Sequence, residues 1–363
     1  MLRPSFAALL TVILSTSVAN AWFRLPCTLP MVQERIDPIV NPNQVPSQHV
    51  HTVHGGINFF SNTTYDTLRQ SSCTNCLVRQ DLSNYWFPKL YFNDRAKGTF
   101  EAVPNGGLLV YYQNRGTNDV ANGGKGLKVS SPRFRMISGD PSARDKQYAR
   151  GQGSQAELRE RAIEWACLGP KSVYSFDLNP KQGFPTTNCP YGLNARIHMP
   201  ACWDGVNLDS ADHKSHVAHL SGLDNGSCPS THPVGLIRLF YEVTWDVDAF
   251  ASRWKESDGW PFVYATGDPT GHSWHGDFLN GWDVDVLQRA IDTCNSTPDQ
   301  LNGIVDACPI FNIASQADAG KCKKTKSSVT ETVDGVLTKL PGCNPLQRGP
   351  GAATLYTDAN CPK

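Results

Sequence analysis

Twelve cysteines, every one of them beyond Ala21, constrain this chain more than any other feature. An even set is most simply six disulfides, and disulfides persist in oxidising compartments. Spacing does not fix the pairing: Cys73 and Cys76 are close enough to bridge locally or to reach two distant partners. The first residues point to the same compartment. Arg3 supplies a positive start, and Phe6 to Val18 is apolar apart from Thr11 and three small hydroxyl residues. Val18-Ala19-Asn20-Ala21 then gives the small residues that signal peptidase prefers. The run is shorter than the ~20 apolar residues of a spanning helix. Residues 1–21 are therefore expected to be a signal peptide, and the mature chain to be secreted, extracellular or in a cell wall, with no membrane span.

Asn62-Thr63-Thr64, Asn225-Gly226-Ser227 and Asn295-Ser296-Thr297 fit the glycosylation acceptor pattern, so a glycoprotein is expected. Lysine plus arginine and aspartate plus glutamate are both 33, which leaves no basic field for nucleic acid. A nucleophilic cysteine is not expected where cysteines pair in an oxidising compartment. Oxidative cleavage through a copper histidine brace needs histidine as the first mature residue, whereas cleavage after Ala21 leaves Trp22.

Glycine and proline, 30 and 25 residues, favour many short elements joined by turns. Strands are expected at 56–60, 85–92, 107–113, 134–137 and 236–246. In the last, Phe240, Glu242 and Thr244 share one face, and Tyr241, Val243 and Trp245 the other. One helix is expected to start at the capping-box pattern Ser154-Gln155-Ala156-Glu157 and to run through Leu158, Ala162, Ile163, Trp165 and Ala166. A second is expected from Asp283 to Cys294. The fold class is mainly β with helical decorations, a disulfide-stapled β-sandwich or jelly-roll-like domain over residues 22–312. Residues 313–363, with Lys321, Lys323, Lys324 and Lys326 beside Cys322, Cys343 and Cys361, read as a cysteine-stapled polar tail.

Candidate chemistry gathers in three segments. The first is His49-Val50-His51-Thr52-Val53-His54, where residues two apart on a strand share a face. The second runs from Cys202-Trp203-Asp204 through Asp209 and Asp212 to His213-Lys214-Ser215-His216, and the third is His272-Ser273-Trp274-His275-Gly276-Asp277. Carboxyl groups and imidazoles can exchange protons with a glycosidic bond, and tryptophan can stack on a sugar. His51, His54, Asp204, His213, His216, His275 and Asp277 are the catalytic candidates, with Trp203, Trp274 and Arg135 for substrate. A metal site could be built from His49 or His51 with His54, His213 or His216 and a carboxylate. No spacing is diagnostic of a metal or a cofactor, and both stay unknown.

Several longer motifs follow one another in order: His51-Thr52-Val53-His54-Gly55-Gly56, Ser71-Ser72-Cys73-Thr74-Asn75-Cys76, Ser83-Asn84-Tyr85-Trp86-Phe87-Pro88 and Phe134-Arg135-Met136-Ile137-Ser138-Gly139-Asp140. Pro200-Ala201-Cys202-Trp203-Asp204-Gly205, His213-Lys214-Ser215-His216 and His275-Gly276-Asp277-Phe278-Leu279-Asn280-Gly281-Trp282 complete the series. It resembles fungal secreted proteins grouped as domain of unknown function nineteen-ninety-six, over residues 37 to 294. Some of these are fused to WSC carbohydrate-binding modules, of which this chain shows none. The resemblance implies a fungal, secreted or wall-associated protein in a carbohydrate context, and it brings no catalytic assignment. Expected, then, is a carbohydrate-active protein that cleaves a cell-wall or plant polysaccharide by His/Asp acid–base chemistry, as hydrolase or lyase. The alternatives are a non-catalytic glycan-binding or structural wall glycoprotein, and an extracellular metal-binding protein. The oligomeric state is not legible.

Overall fold

The computed structural model describes residues 21–179 and 181–362. Of the expected signal peptide only Ala21 is among them; the rest of that reading lies outside the described residues. The chain is mainly β. One antiparallel sheet has six strands, in the order Ala21–Cys27, Asn105–Gln113, Arg238–Trp245, Leu193–His198, Ile163–Cys167 and Val173–Tyr174. A second has five: Val32–Glu34, His51–Gly55, Asn84–Pro88, His275–Leu279 and Arg135–Gly139.

Alternation decides which side chains meet between them. Tyr241, Val243 and Trp245 are buried, as the period-two pattern predicts, while Glu242 and Thr244 stay half-buried on the other face. Tyr85 and Phe87 of the five-stranded sheet face them, with ring centroids 5.7 Å from Tyr241 and 6.1 Å from Trp245. Both ring pairs are near-perpendicular, the edge-to-face arrangement aromatic quadrupoles favour.

The expected helices fare differently. Asp283 caps a helix Val284–Thr293 by accepting from the Val286 amide, and Leu287, Ala290 and Ile291 bury its apolar face. The other helix stops early. Ser154 accepts from the Glu157 amide, but the helix covers only Gln155–Arg161. Glu157 turns back to accept from Gly151 and Gly153. Ile163–Cys167 is instead a strand, buried throughout and hydrogen-bonded on both sides. A short apolar run buried on both faces carries no alternation to distinguish it from helix. Residues 56–60, expected as a strand, are not one: the strand His51–Gly55 ends just before them and only Gly56 makes an isolated bridge, to Thr74. The strand expected at 85–92 breaks in two at Lys89.

Six disulfides form: Cys27–Cys76, Cys73–Cys322, Cys167–Cys189, Cys202–Cys228, Cys294–Cys308 and Cys343–Cys361. Cys73 and Cys76 thus take separate distant partners. The C-terminal residues lie across the body of the chain. Val336–Leu337 pairs with Thr99–Ala102, and Leu340 packs with Val50 and Tyr91. Lys324 pairs with buried Glu34, and Glu331 with Arg35.

Candidate functional site

The five-stranded sheet has a second face, turned away from the shared core. There Val53, Trp86, Ile137 and Leu279 pack against Met31, Ile36, Ile39, Phe59 and Leu68 from the segment that runs over the sheet. His51 shares this face with Val53, two residues on, and His275 and Asp277 share it with Leu279. The strands bearing His51 and His275 are separated by one strand, Asn84–Pro88. Asp277 lies opposite Trp86 and Ile137, and His275 opposite Gly139. His49 joins them from the residues just before the strand, where pairing continues through the Lys89 amide and the Val50 carbonyl.

These side chains converge although their sequence positions do not. His49, His51 and His275 offer ligand atoms that all lie within 4.8 Å of one another. Nε2 of His49 and Nε2 of His275 are 3.2 Å apart, and His275 Nε2 is 3.8 Å from Asp277 Oδ2. All four residues are buried. Burial, with His51 and His275 close by, holds the His49 imidazole well below its ordinary pKa. Burial lowers His51 to about 4 and His275 to about 3. Burial, reinforced by Asp37, pushes the Asp277 carboxyl well above its usual range, while Lys214 opposes the shift. The three rings are therefore neutral near pH 7.

Gly139 lets the sheet close around His275. Its φ of +91° is in the left-handed region, and a Cβ there would lie 2.5 Å from the Trp274 carbonyl oxygen and 2.8 Å from the His275 Cβ. Gly139 also lines a cleft of about 240 Å³, so that cleft reaches the strand beside His275. Asp140, Asp145, Lys146, Arg159, Lys214 and His272 bring charge or a titratable ring to its walls. Burial lowers Lys146 to about 8. For Asp140, burial acts upward, but hydrogen bonds from Ser142 and the charge of Lys214 outweigh it and hold the carboxyl below its ordinary value.

Of the seven catalytic candidates, the structure brings His51, His275 and Asp277 together. His54 points to the opposite face of the same strand, 5.7 Å from the Phe87 ring and beside Asn75. Asp204 spends its carboxylate on the turn amides of Val206 and Asn207. His213 is bonded to Asp209, which also takes the guanidinium of Arg135. His216 donates through Nε2 to the Arg135 carbonyl. That loop is thus hydrogen-bonded along the edge strand Arg135–Gly139, and the Ile137 amide donates to the His213 carbonyl. Trp203 is partly exposed and donates to the Asn207 carbonyl. Trp274 is fully buried and donates to the Arg196 carbonyl, so its ring offers no face to a sugar. From sequence His49 is a metal candidate only, and Asp37, within electrostatic reach of both His275 and His213, carries no motif that points to it. The His-x-His and His-x-Asp spacings carried the signal for the cluster; their meeting depends on sheet register.

The family described as Domain of unknown function (DUF1996) matches residues 37–282, most of the chain. No curated protein and no solved structure matches it.

Proposed function

Because the chain belongs to the DUF1996 family, whose description names no activity, we propose its function from its own residues: an exported carbohydrate-active protein that cleaves polysaccharide in the cleft beside Gly139. One observation carries this reading. The cleft sets a carboxylate held ionised, Asp140, and an ammonium lowered to about 8, Lys146, among the cations Arg159 and Lys214. Breaking a glycosidic bond needs a proton delivered to the leaving oxygen and a base for water or for a sugar carbon. Lys146 supplies the first and Asp140 the second, while Arg159 and Lys214 hold hydroxyls or a uronate carboxylate. At about 240 Å³ the cleft takes a chain end or a single residue rather than a long stretch of polymer. Export is supported by six disulfides, by three exposed acceptor asparagines, and by the apolar leader; among the described residues no helix is long and apolar enough to cross a membrane.

The test is a screen of the purified protein on fungal and plant polysaccharides, reading new reducing ends and unsaturated uronate ends. Asp140→Asn and Lys146→Met are each expected to lower product formation by roughly 100-fold or more while leaving the fold intact. Product formed equally by both variants, or by none of the proteins on any glycan, would remove this reading.

A second reading, glycan binding without cleavage, is favoured by the outer face of the six-stranded sheet. Tyr111, Glu242, Arg196 and Tyr174 form one half-buried hydrogen-bonded row there. A groove of about 620 Å³ lined by Gly106 to Leu109, Asn194, Glu242 and Thr244 adjoins it. Retention on an insoluble polymer that Tyr111→Ala abolishes, with no product released, is what this reading expects.

A further inference from the structure

We infer that His49, His51, His275 and Asp277 form a binding site for one divalent transition-metal ion of the zinc class. The argument lies in where the ring protons are. A backbone carbonyl only accepts, so His51 Nδ1, 3.0 Å from the Ile36 oxygen, and His275 Nδ1, 2.7 Å from the Ser273 oxygen, both carry hydrogen. His49 Nδ1 faces Gln48 Oε1 at 3.1 Å, which places its proton there too. A neutral imidazole has one N–H, so the three Nε2 atoms are all lone pairs.

Those lone pairs face one another. His49 Nε2 and His275 Nε2 stand 3.2 Å apart with no proton to share, and among the described residues no donor reaches His51 Nε2 or Asp277 Oδ2. Turning the Gln48 amide over would let His49 donate to His275, and a proton on Asp277, which burial favours, would relieve its Oδ2, but His51 Nε2 would still lack a donor among the described residues. Buried acceptors aimed together cost free energy, and a cation among them reverses the sign.

Geometry and donor type narrow the ion. With Zn–N bonds of ~2.0–2.1 Å, a tetrahedral site sets neighbouring ligand atoms ~3.3 Å apart. The 3.2 Å between the two Nε2 atoms fits that edge; the three imidazoles form the converged set, and Asp277 Oδ2, 3.8 Å from His275 Nε2, has to move inward to complete it. Three imidazoles and one carboxylate suit zinc and its late first-row neighbours, whereas calcium and magnesium prefer oxygen. Each ring also donates its other nitrogen to an oxygen acceptor, the outer-shell arrangement that fixes tautomer and direction in metal sites. Two pairs at i and i+2, His49/His51 and His275/Asp277, bring the donors in from segments one strand apart.

The experiment uses the mature protein stripped with chelator, dialysed, and titrated with zinc(II) by calorimetry. Bound metal is counted by elemental analysis, and cobalt(II) replaces zinc to report coordination through its visible spectrum. One equivalent with a four-coordinate cobalt spectrum is expected. His275→Gln and Asp277→Asn should each weaken binding by more than roughly 100-fold, and Gln48→Ala, which removes only the acceptor for His49 Nδ1, by roughly tenfold. Circular dichroism checks each variant; Gln48 leaves the buried ligands in place, so that variant remains readable if a ligand variant does not fold. No bound ion in the wild-type protein, or affinity unchanged in a folded His275→Gln or Asp277→Asn, overturns the assignment. Only protein and ion are measured, so this result stands or falls separately from the polysaccharide screen.

Discussion

Gly139 shows how much a single residue carries here. Its positive φ and the 2.5 Å approach of the Trp274 carbonyl leave no room for a methyl group, and the flanking atoms are backbone that cannot swing away. Gly139→Ala is expected to cost about 1–3 kcal/mol in chemical denaturation and to weaken zinc binding by displacing His275. Gly106→Ala is the control. The nearest atom to a Cβ there is the Thr244 oxygen at 3.9 Å, and the change should stay within about 0.5 kcal/mol. Equal losses at both positions would mean that the strain argument is misplaced. Trp274 marks the limit of reasoning from residue type. Tryptophan beside histidine and aspartate suggested a sugar platform, yet the ring is stacked on Tyr264 with centroids 5.1 Å apart, inside the core. Nothing local in the sequence separates a buried indole from an exposed one.

At the level of elements, short-range chemistry was legible and long-range register was not. Asp283 announced its helix because a cap is read from adjacent residues. The strand Ile163–Cys167 reads as helix in sequence because what makes it a strand is its neighbours on both sides. The candidate site divides along the same line. The spacing of His49 and His51 is local, but their meeting with His275 and Asp277 requires the His51 and His275 strands to flank the same partner in register. The strand Val32–Glu34 raises a different expectation. Glu34 is buried and accepts from Lys324 Nζ at 2.8 Å and Ser327 Oγ at 2.7 Å. Lys324→Met would leave that carboxylate without its ammonium partner, at a cost of about 3–5 kcal/mol. A shift in the urea midpoint measures it, and Lys326→Met, on an exposed side chain, should leave the midpoint unchanged.

The whole molecule buries much imidazole. Burial lowers His54 and His219 to about 3, well under the ordinary 6.5, and neither belongs to the cluster proposed to bind metal. A base whose pKa falls on folding is protonated first in the unfolded chain. The unfolded state therefore binds more protons below about pH 6.5, and stability declines as pH falls from there towards about 3. Each of the two contributes up to about 1.4 kcal/mol per pH unit. Urea midpoints taken from neutral to acid should fall steadily, and His219→Asn should flatten the slope; an unchanged slope would show that His219 is solvated. Disulfides act at the same scale. Cys73–Cys322 joins residues 249 apart, and in a chain-entropy account its removal costs about 5 kcal/mol. Paired serine substitutions at both positions, followed by denaturation, give the figure.

The C-terminal residues that cross the body of the chain also set an order of events. Asn344 donates to the Gln48 carbonyl, and Arg35 is held by Glu331, so both ends of the segment leading to His49 are fixed by residues made last. A growing chain that has produced all four residues of the cluster still lacks that clamp. It closes only after synthesis has passed Asn344, and Cys73 can be oxidised to Cys322 only in a compartment that permits it. The segment carrying His49 is therefore clamped only once these later residues are in place, and the Cys73–Cys322 bridge that anchors them closes only where thiols oxidise.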